Sequence, residues 1–408
     1  MKFNRFRLSL SKIINLNIET NTYLAKTVSG LEAVLAKELE QLGAENIELL
    51  TRAVQFTGDM ALLYKANYVL RTALRVLKKI STFQLENEMA LYNMMNAFPW
   101  EEYLTENQTF AIDSVVSGST FTHSLFVSQK AKDGLVDRFR SKTGIRPSVD
   151  TNNPDLRINI HIYNQDCTLS IDSSGDSLHK RGYRTAVDKA PLNEVLAAGL
   201  IQLTGWQANS HFIDGMCGSA TLPIEAAMFA MKIPAGYFRE EYGFIKWNDF
   251  DELLWKNIVD EYSAKICDFD FEIWGSDHSA KAISIAQENV RKAHLHKDIK
   301  LMHKEFDKIQ PPEGDGIMII NPPYGERLEE SDIEGLYMMV GDTLKHNFRG
   351  YKAWVISSDL PVLKLIGLKP SKKLIVFNGP LECRFVCFDI FGGTYKDMKT
   401  EKARGDLS

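Results

Sequence analysis

Apolar positions recur at intervals of three and four from residue 31, where Leu31, Val34, Leu35, Leu39 and Leu42 share one face, so a helix is predicted there. The preceding YLAKTV from Tyr23 reads as a strand, and Ser29 and Glu32 are spaced as a capping box. Gly43 stands where a left-handed cap would close the helix. IELLTRAVQFTG then reads as two short strands, and MALLYKANYVLRTALRVL as a second helix with one apolar face. Between Ser81 and Asp172 the pattern predicts a further α+β unit. It holds a helix through Leu91 to Phe98, a strand at TFAIDSVV, a helix over 122–143, and the alternating hairpin RINIHIYNQDCTLSIDSS. Residues 173–190 are rich in Ser, Gly and charge and are expected to join two halves. Beyond them Pro191 opens the helical pattern PLNEVLAAGLIQL, which Gly205 ends. From there short apolar runs alternate with helical segments: HFIDGM, FEIWGSD, DIKLMHKEF, GIMIIN and AWVISS. That alternation predicts a mostly parallel, doubly wound sheet. LIVFNGPLECRFVCFDIF turns across Asn378 and Gly379 and adds an antiparallel edge pair.

At 408 residues the chain has room for two or three domains, and its 44% hydrophobic content excludes a disordered or fibrous class. The formal charge of -5 means that nucleic-acid contact must rest on a local patch. Such a patch exists between Thr122 and Arg146, where Lys130, Lys132, Arg138, Arg140, Lys142 and Arg146 outnumber Asp133 and Asp137. By charge alone an ordinary solvated helix face explains it as well. The five cysteines contain no CxxC pair, so neither a disulfide framework nor a zinc site is expected, and a cytoplasmic setting fits. No apolar run approaches the ~18 residues of a membrane span.

The second half carries the chemistry. IDGMCGSATLPIEAA places Asp214, Gly215, Gly218 and Ser219 between a strand and a helix, where free N–H groups receive polar ligand atoms. The spacing is not GxGxxG, which disfavours an NAD-dependent oxidoreductase. Asp277 ends the next strand, where a carboxylate can accept both ribose hydroxyls of an adenosine, or simply cap the following helix. Its distance from the glycine turn indicates an insertion, with 232–270 and its Trp247 and Trp255 as the candidate. Glu305 and Phe306 end the third strand and can face an adenine. Asn321, Pro322, Pro323 and Tyr324 follow the strand GIMII directly. Two prolines make the turn rigid, the Asn321 amide oxygen and the Pro322 carbonyl accept hydrogen bonds from an exocyclic amine, and Tyr324 stacks on the base. This pattern points to methyl transfer from S-adenosylmethionine (SAM) to a planar amino nitrogen.

From about Tyr23 to Phe391 the chain resembles the THUMP-domain class I RNA methyltransferases, in particular the guanine-N2 methyltransferase half of the bacterial large-subunit rRNA enzyme. SGLEAVLAKELEQLGA, NPDLRINIHI, SGDSLHKRGYR, APLNEVLAA, DGMCGSATLPIEAA, GSD, NPPYGERL and NGPLEC carry the likeness. It implies an α/β fold in which a Rossmann-like methyltransferase domain (191–392) follows an N-terminal extension (1–20), a ferredoxin-like segment (21–80), an RNA-binding THUMP domain (81–172) and a linker (173–190), with a polar tail (393–408) behind it. It further implies SAM as cofactor, held by Asp214, Met216, Cys217, Gly218, Ser219 and Thr221 at its methionine end, by Asp277 and His278 at the ribose, and by Glu305 and Phe306 at the adenine. Gly182, Tyr183, Arg184, Pro191 and Glu194 would close the pocket from the linker side, and Asn321 to Tyr324 would hold the target base. The implied substrate is rRNA, with tRNA as the alternative and no metal or membrane involved; oligomeric state is not legible. Adenine-N6 or protein-glutamine methylation, and a noncatalytic ribosome-assembly factor, are the competing readings. The chain departs from the family pattern at Gly215, written Pro elsewhere, at Ala220, where glycine is usual, and at Glu305, where aspartate is usual. The second methyltransferase domain of the larger enzyme does not follow.

Overall fold

The computed structural model describes residues 20–118, 121–184, 191–323 and 330–391. The N-terminal half runs β1 (Asn21–Lys26), α1 (Glu32–Gln41), β2 (Glu45–Leu50), β3 (Ala53–Gly58), α2 (Met60–Val69), β4 (Arg75–Gln84), α3 (Glu88–Ala97), β5 (Thr109–Ser117), α4 (Ser124–Thr143), β6 (Ser148–Val149), β7 (Leu156–Tyr163) and β8 (Asp166–Asp172). These strands form a single sheet in the order β2-β3-β1-β4-β8-β7-β5-β6. Along β7 the isoleucines Ile158, Ile160 and Ile162 point into the core, while His161 and Tyr163 point out, as a period of two requires.

The C-terminal half carries α5 (Glu194–Leu203), β9 (His211–Asp214), α6 (Thr221–Ala230), α7 (Glu252–Ser263), β10 (Ile273–Asp277), α8 (Ala280–Lys292), β11 (Ile299–His303), β12 (Gly316–Ile320), α9 (Glu330–Asn347), β13 (Tyr351–Ser357), α10 (Leu360–Leu365), β14 (Lys372–Asn378) and β15 (Leu381–Asp389). Its sheet has the order β11-β10-β9-β12-β13-β15-β14, parallel except for β15. β10 and β12 are buried throughout, as strands covered on both faces must be. The expected hairpin forms, with Asn378 opposite Leu381 and Gly379 at φ +61°.

Three local expectations are corrected. The helix expected to run through Leu77 stops at Val69, and Arg75–Gln84 is the strand β4. Its residues RVLKKISTFQ find two strand partners, β1 and β8, and that pairing overrides the apolar helical spacing. Ser29 does not cap α1; Glu32 instead accepts N–H groups from Gly30 at 2.8 Å and Arg52 at 3.0 Å. The helix after the connection starts at Glu194, capped by the Asn193 side chain, so Pro191 lies ahead of its first turn.

The segment between α6 and β10 departs from the C-terminal sheet altogether. Phe244, Trp247 and Ile258 are buried in the same apolar core as the N-terminal sheet, with Trp255 packed against it. Trp255 meets Tyr64 and Tyr68 of α2 edge-on, at ring distances of 6.1 and 5.4 Å. The two halves are therefore stapled by aromatic burial, reinforced where α1 and α5 touch and Leu31 fills the space above Gly199.

Candidate active site

In a doubly wound sheet the crevice opens beyond the strand ends where the strand order reverses, here between β9 and β12. A cavity of about 690 Å³ lies there. Its walls include Pro191, Asp214, Met216, Cys217, Gly218, Ser219, Thr221, Asp277, His278, Glu305, Phe306, Asn321 and Pro323. Strands β9, β10 and β12 deliver Asp214, Asp277 and Asn321 to one rim, because each of these residues ends or follows its strand.

The loop after β9 is shaped by its small residues. A Cβ on Gly215 would stand 2.4 Å from the Phe306 ring, so the backbone is in direct contact with the aromatic wall and proline in this place would not fit. Gly218, at φ +51°, has open space where its Cβ would be, which leaves room for a ligand against bare backbone. Its N–H donates to one Asp277 carboxylate oxygen at 2.9 Å, and Ser279 N–H donates to the other at 2.9 Å. Asp277 thus braces the loop and starts α8 while lining the cavity. Asp214 accepts from Met216 N–H at 3.1 Å; burial, then the nearby Asp277 charge, raises its carboxyl well above the usual aspartate range. Burial likewise pushes the Cys217 thiol up, so it is not poised as a nucleophile. Ala220, the departure from glycine, holds φ +65° and ψ 29° as the residue before α6.

Asn321 emerges from β12 half-buried, yet its Oδ1 is shielded from solvent and has no hydrogen-bond partner among the described residues. An orphaned acceptor in a cavity wall, on a turn stiffened by Pro322 and Pro323, is the arrangement an incoming N–H donor completes. Pro322 is buried behind this turn, and Tyr324 lies outside the described residues. Two apolar wall residues, Leu336 and Met339, come from α9. Sequence reading missed them, and their spacing of three on a helix was the available signal. It also missed Ser279, whose place as the cap after a strand-ending Asp was legible.

The linker residues divide. Arg184 reaches the site from behind, donating to Glu194 at 2.7 Å, to Thr221 Oγ1 at 2.9 Å and to Ser219 Oγ at 3.3 Å. It orients two cavity-wall hydroxyls without lining the cavity itself. Glu194, buried beside it, is raised above the usual carboxylate range by that burial. Gly182 and Tyr183 do not reach the cavity. A Cβ on Gly182 would stand 2.1 Å from the Phe238 carbonyl oxygen, and Tyr183 is buried with its hydroxyl donating to Glu225 at 2.9 Å. Arg181 pairs with the same Glu225 at 3.3 Å and donates to the Leu178 carbonyl, so these residues form an inter-domain joint one turn into α6.

The basic helix α4 is partly neutralised. Arg138 pairs with Glu101 at 2.7 Å and caps the end of α3 through the Asn96 and Ala97 carbonyls, and Lys142 pairs with the same carboxylate. Arg138, ahead of burial and Lys142, holds the Glu101 carboxyl down at about 2. Lys132 and Arg140 sit beside Asp133 and Asp137, and Lys130 lies over the Tyr92 ring at 5.2 Å. Arg146 is exposed with no partner among the described residues. Among those residues no group of His, Cys, Asp and Glu could hold a metal, and no helix is long and apolar enough to cross a membrane.

Fold and site together define a class I methyltransferase, with a cavity whose bare glycine backbone and paired strand-end carboxylates fit SAM. Three family models match in succession: an RlmL ferredoxin-like domain at 22–77, a THUMP domain at 86–172 and an RMKL-like methyltransferase domain at 181–386. The chain belongs to this family of SAM-dependent RNA methyltransferases. It is 37% identical, over 91% of its length and 97% of the relative's, to slr0064 of Synechocystis sp., provisionally named an RNA methyltransferase. It is also 37% identical to the ribosomal RNA large subunit methyltransferase K/L of Methylococcus capsulatus, over 91% of this chain and 51% of that one. The chain thus spans about half the length of the K/L relatives it matches. The crystal structure of SMU.472, provisionally titled a methyltransferase and complexed with SAH, superposes with a TM-score of 0.83 at 28% identity over 92% of this chain and 99% of that one.

Proposed function

We propose that the protein methylates the exocyclic N2 of a guanine in large-subunit rRNA. The orphaned, solvent-shielded Oδ1 of Asn321 carries this reading, because it is a fixed acceptor at the strand-end rim, where a planar amine would be presented. The K/L names of the half-length relatives supply the choice of rRNA.

Bound SAM supplies a methyl group made electrophilic by its sulfonium. Gly218, Asp277 and Ser279 would hold its polar groups, with Phe306 against the adenine. The guanine amine is a poor nucleophile because its lone pair is delocalised into the ring. Asn321 Oδ1, together with the Pro322 carbonyl, accepts the two amine N–H bonds and draws the nitrogen toward a tetrahedral shape, freeing the lone pair to attack. The methyl would pass to the amine nitrogen with the S–C electron pair returning to sulfur, and the amine proton would pass to water at the open mouth of the cavity. Positioning supplies the acceleration, worth up to about 7 kcal/mol or more for well-aligned reactants. Leu336 and Met339 give the cavity an apolar wall for the face of the base, which must be extruded from its stack to reach them.

The test is transfer of labelled methyl from SAM into unmodified large-subunit rRNA and, in parallel, bulk tRNA, followed by nucleoside mass spectrometry. N2-methylguanosine confined to the rRNA is the expected product. N6-methyladenosine, or product only in tRNA, overturns the assignment.

A further inference from the structure

The starts of the strands in the methyltransferase sheet form the rim opposite the cavity, and charge is unevenly divided along it. On one side Arg349, Lys352, Lys364, Lys369, Lys372 and Lys373 are all exposed. Between residues 349 and 373 the only carboxylate is Asp359, which caps α10 at the other end of the sheet. The cations come together where β13 and β14 begin and β15 ends: Lys352 pairs in register with Asp389, Lys372 with Cys387 and Lys373 with Val386, so one exposed carboxylate, Asp389, stands among them. The end of α9 joins them, Lys345 Nζ lying 3.4 Å from where a Gly367 Cβ would stand. Arg349, Lys352, Lys364, Lys372 and Lys373 have no ion pair among the described residues. In α4, by contrast, most cations have a carboxylate or ring beside them. On the other side of the same rim, at the starts of β10 and β12, stand Glu272, Glu313 and Asp315.

Five solvated cations without an ion pair, Arg349, Lys352, Lys364, Lys372 and Lys373, against one carboxylate, Asp389, on a chain of net charge -5 are the footprint of a polyanion, and the acidic neighbours at β10 and β12 confine it to the β13–β15–β14 half. We infer that this rim is a phosphate-backbone docking surface for folded RNA, separate from both the strand-end cavity and α4. The inference rests on the substrate being RNA and not on which base is methylated. The seven residues of β13 set the rim about 20 Å from the cavity, so only an RNA large enough to span that distance engages both.

The experiment is fluorescence anisotropy of the full chain with two RNAs, a long fragment of unmodified large-subunit rRNA and a stem-loop too short to reach the rim, over a salt series. The variant is Lys352→Gln, Lys364→Gln, Lys372→Gln and Lys373→Gln combined; the four Lys→Arg changes combined form its control. Loss of four phosphate contacts lowers the slope of log affinity against log salt by about 3 and weakens long-RNA binding at least tenfold at low salt. The stem-loop affinity stays the same and the arginine control binds as the native protein does. The inference is overturned if the glutamine variant keeps the native slope, or if both RNAs weaken equally. It is also overturned if the native rim binds vesicles of equimolar phosphatidylserine and phosphatidylcholine while long-RNA affinity is unchanged by neutralisation. Binding is read independently of methyl transfer. An enzyme that makes no N2-methylguanosine yet loses long-RNA affinity on neutralisation keeps the rim and overturns the guanine reading instead.

Discussion

Two buried oxygens lack hydrogen-bond partners among the described residues, Asn321 Oδ1 and Glu225 Oε2, and their surroundings are opposite. Asn321 belongs to the wall of an open cavity, on a turn that two prolines keep from relaxing toward a partner. Glu225 is fully buried in α6, and its other oxygen receives Arg181 and the Tyr183 hydroxyl. Under the proposed role, the first orphan gains its donor from the substrate. The second is held in place by charge, since Arg71 and Arg181 surround it from two different parts of the chain. An unsatisfied acceptor therefore indicates chemistry only where there is volume beside it; in a closed core it indicates a joint.

Substitution separates the two. If Asn321 holds the reacting amine as proposed, Asn321→Ala is expected to slow methyl transfer by about 10²–10³, the usual size of one lost transition-state hydrogen bond. SAM affinity by calorimetry stays within threefold, because no cofactor-loop contact is lost. A native single-turnover rate in this variant would remove Asn321 from the chemistry. Glu225→Gln should do the reverse. It leaves Arg181 buried without its charge, which costs about 3 kcal/mol of stability, while the rate per folded molecule is retained. Urea unfolding checks this, and a loss below ~1 kcal/mol would mean that the joint is not electrostatic.

The pH dependence of stability sharpens the same contrast inside the cavity. Burial raises the Asp214 carboxyl, so in the folded state it keeps its proton over a range where the unfolded chain has lost it. Stability therefore falls as pH rises from the ordinary aspartate value through the raised one. Asp214→Asn retains an oxygen for the Met216 N–H and should flatten that slope, with the variant gaining on the native protein toward neutral pH. Parallel curves for the two proteins between pH 4 and pH 8 would show that Asp214 is ionised throughout.

The strand-end residues were legible because a strand announces where it stops. Asp214, Asp277 and Asn321 each follow an apolar run, and the topology that such runs adopt places their ends together. What was not legible depends on contacts distant in sequence. Nothing within 232–270 reveals that Trp255 packs on Tyr64 and Tyr68, so the insertion was visible as extra length and its role as a staple was not. β4 reads as the continuation of a helix until β1 and β8 are beside it. Gly182 and Tyr183 share a motif with Arg184, yet only Arg184 reaches the loop after β9: Gly182 is packed against the Phe238 carbonyl and the Tyr183 hydroxyl is committed to Glu225.

The smallest effect is expected at Ala220, where two costs nearly cancel. A non-glycine residue at φ +65° carries a strain of about 1–2 kcal/mol. Glycine would relieve it, as the family pattern suggests. Yet the Ala220 methyl is fully buried in the core under α6, and removing it forfeits about 0.8 kcal/mol of burial, with a further ~0.5–1 kcal/mol from the greater freedom of glycine in the unfolded chain. Ala220→Gly should accordingly change stability by less than about 1 kcal/mol, and SAM affinity by less than threefold, since the Cys217 carbonyl contact to residue 220 is a backbone one that glycine keeps. A gain of 2 kcal/mol or more on thermal unfolding would mean that the methyl is not packed and the strain is real. A loss of that size would mean that the alanine methyl helps to hold the loop against α6, and that the departure from glycine is what this chain uses in place of it.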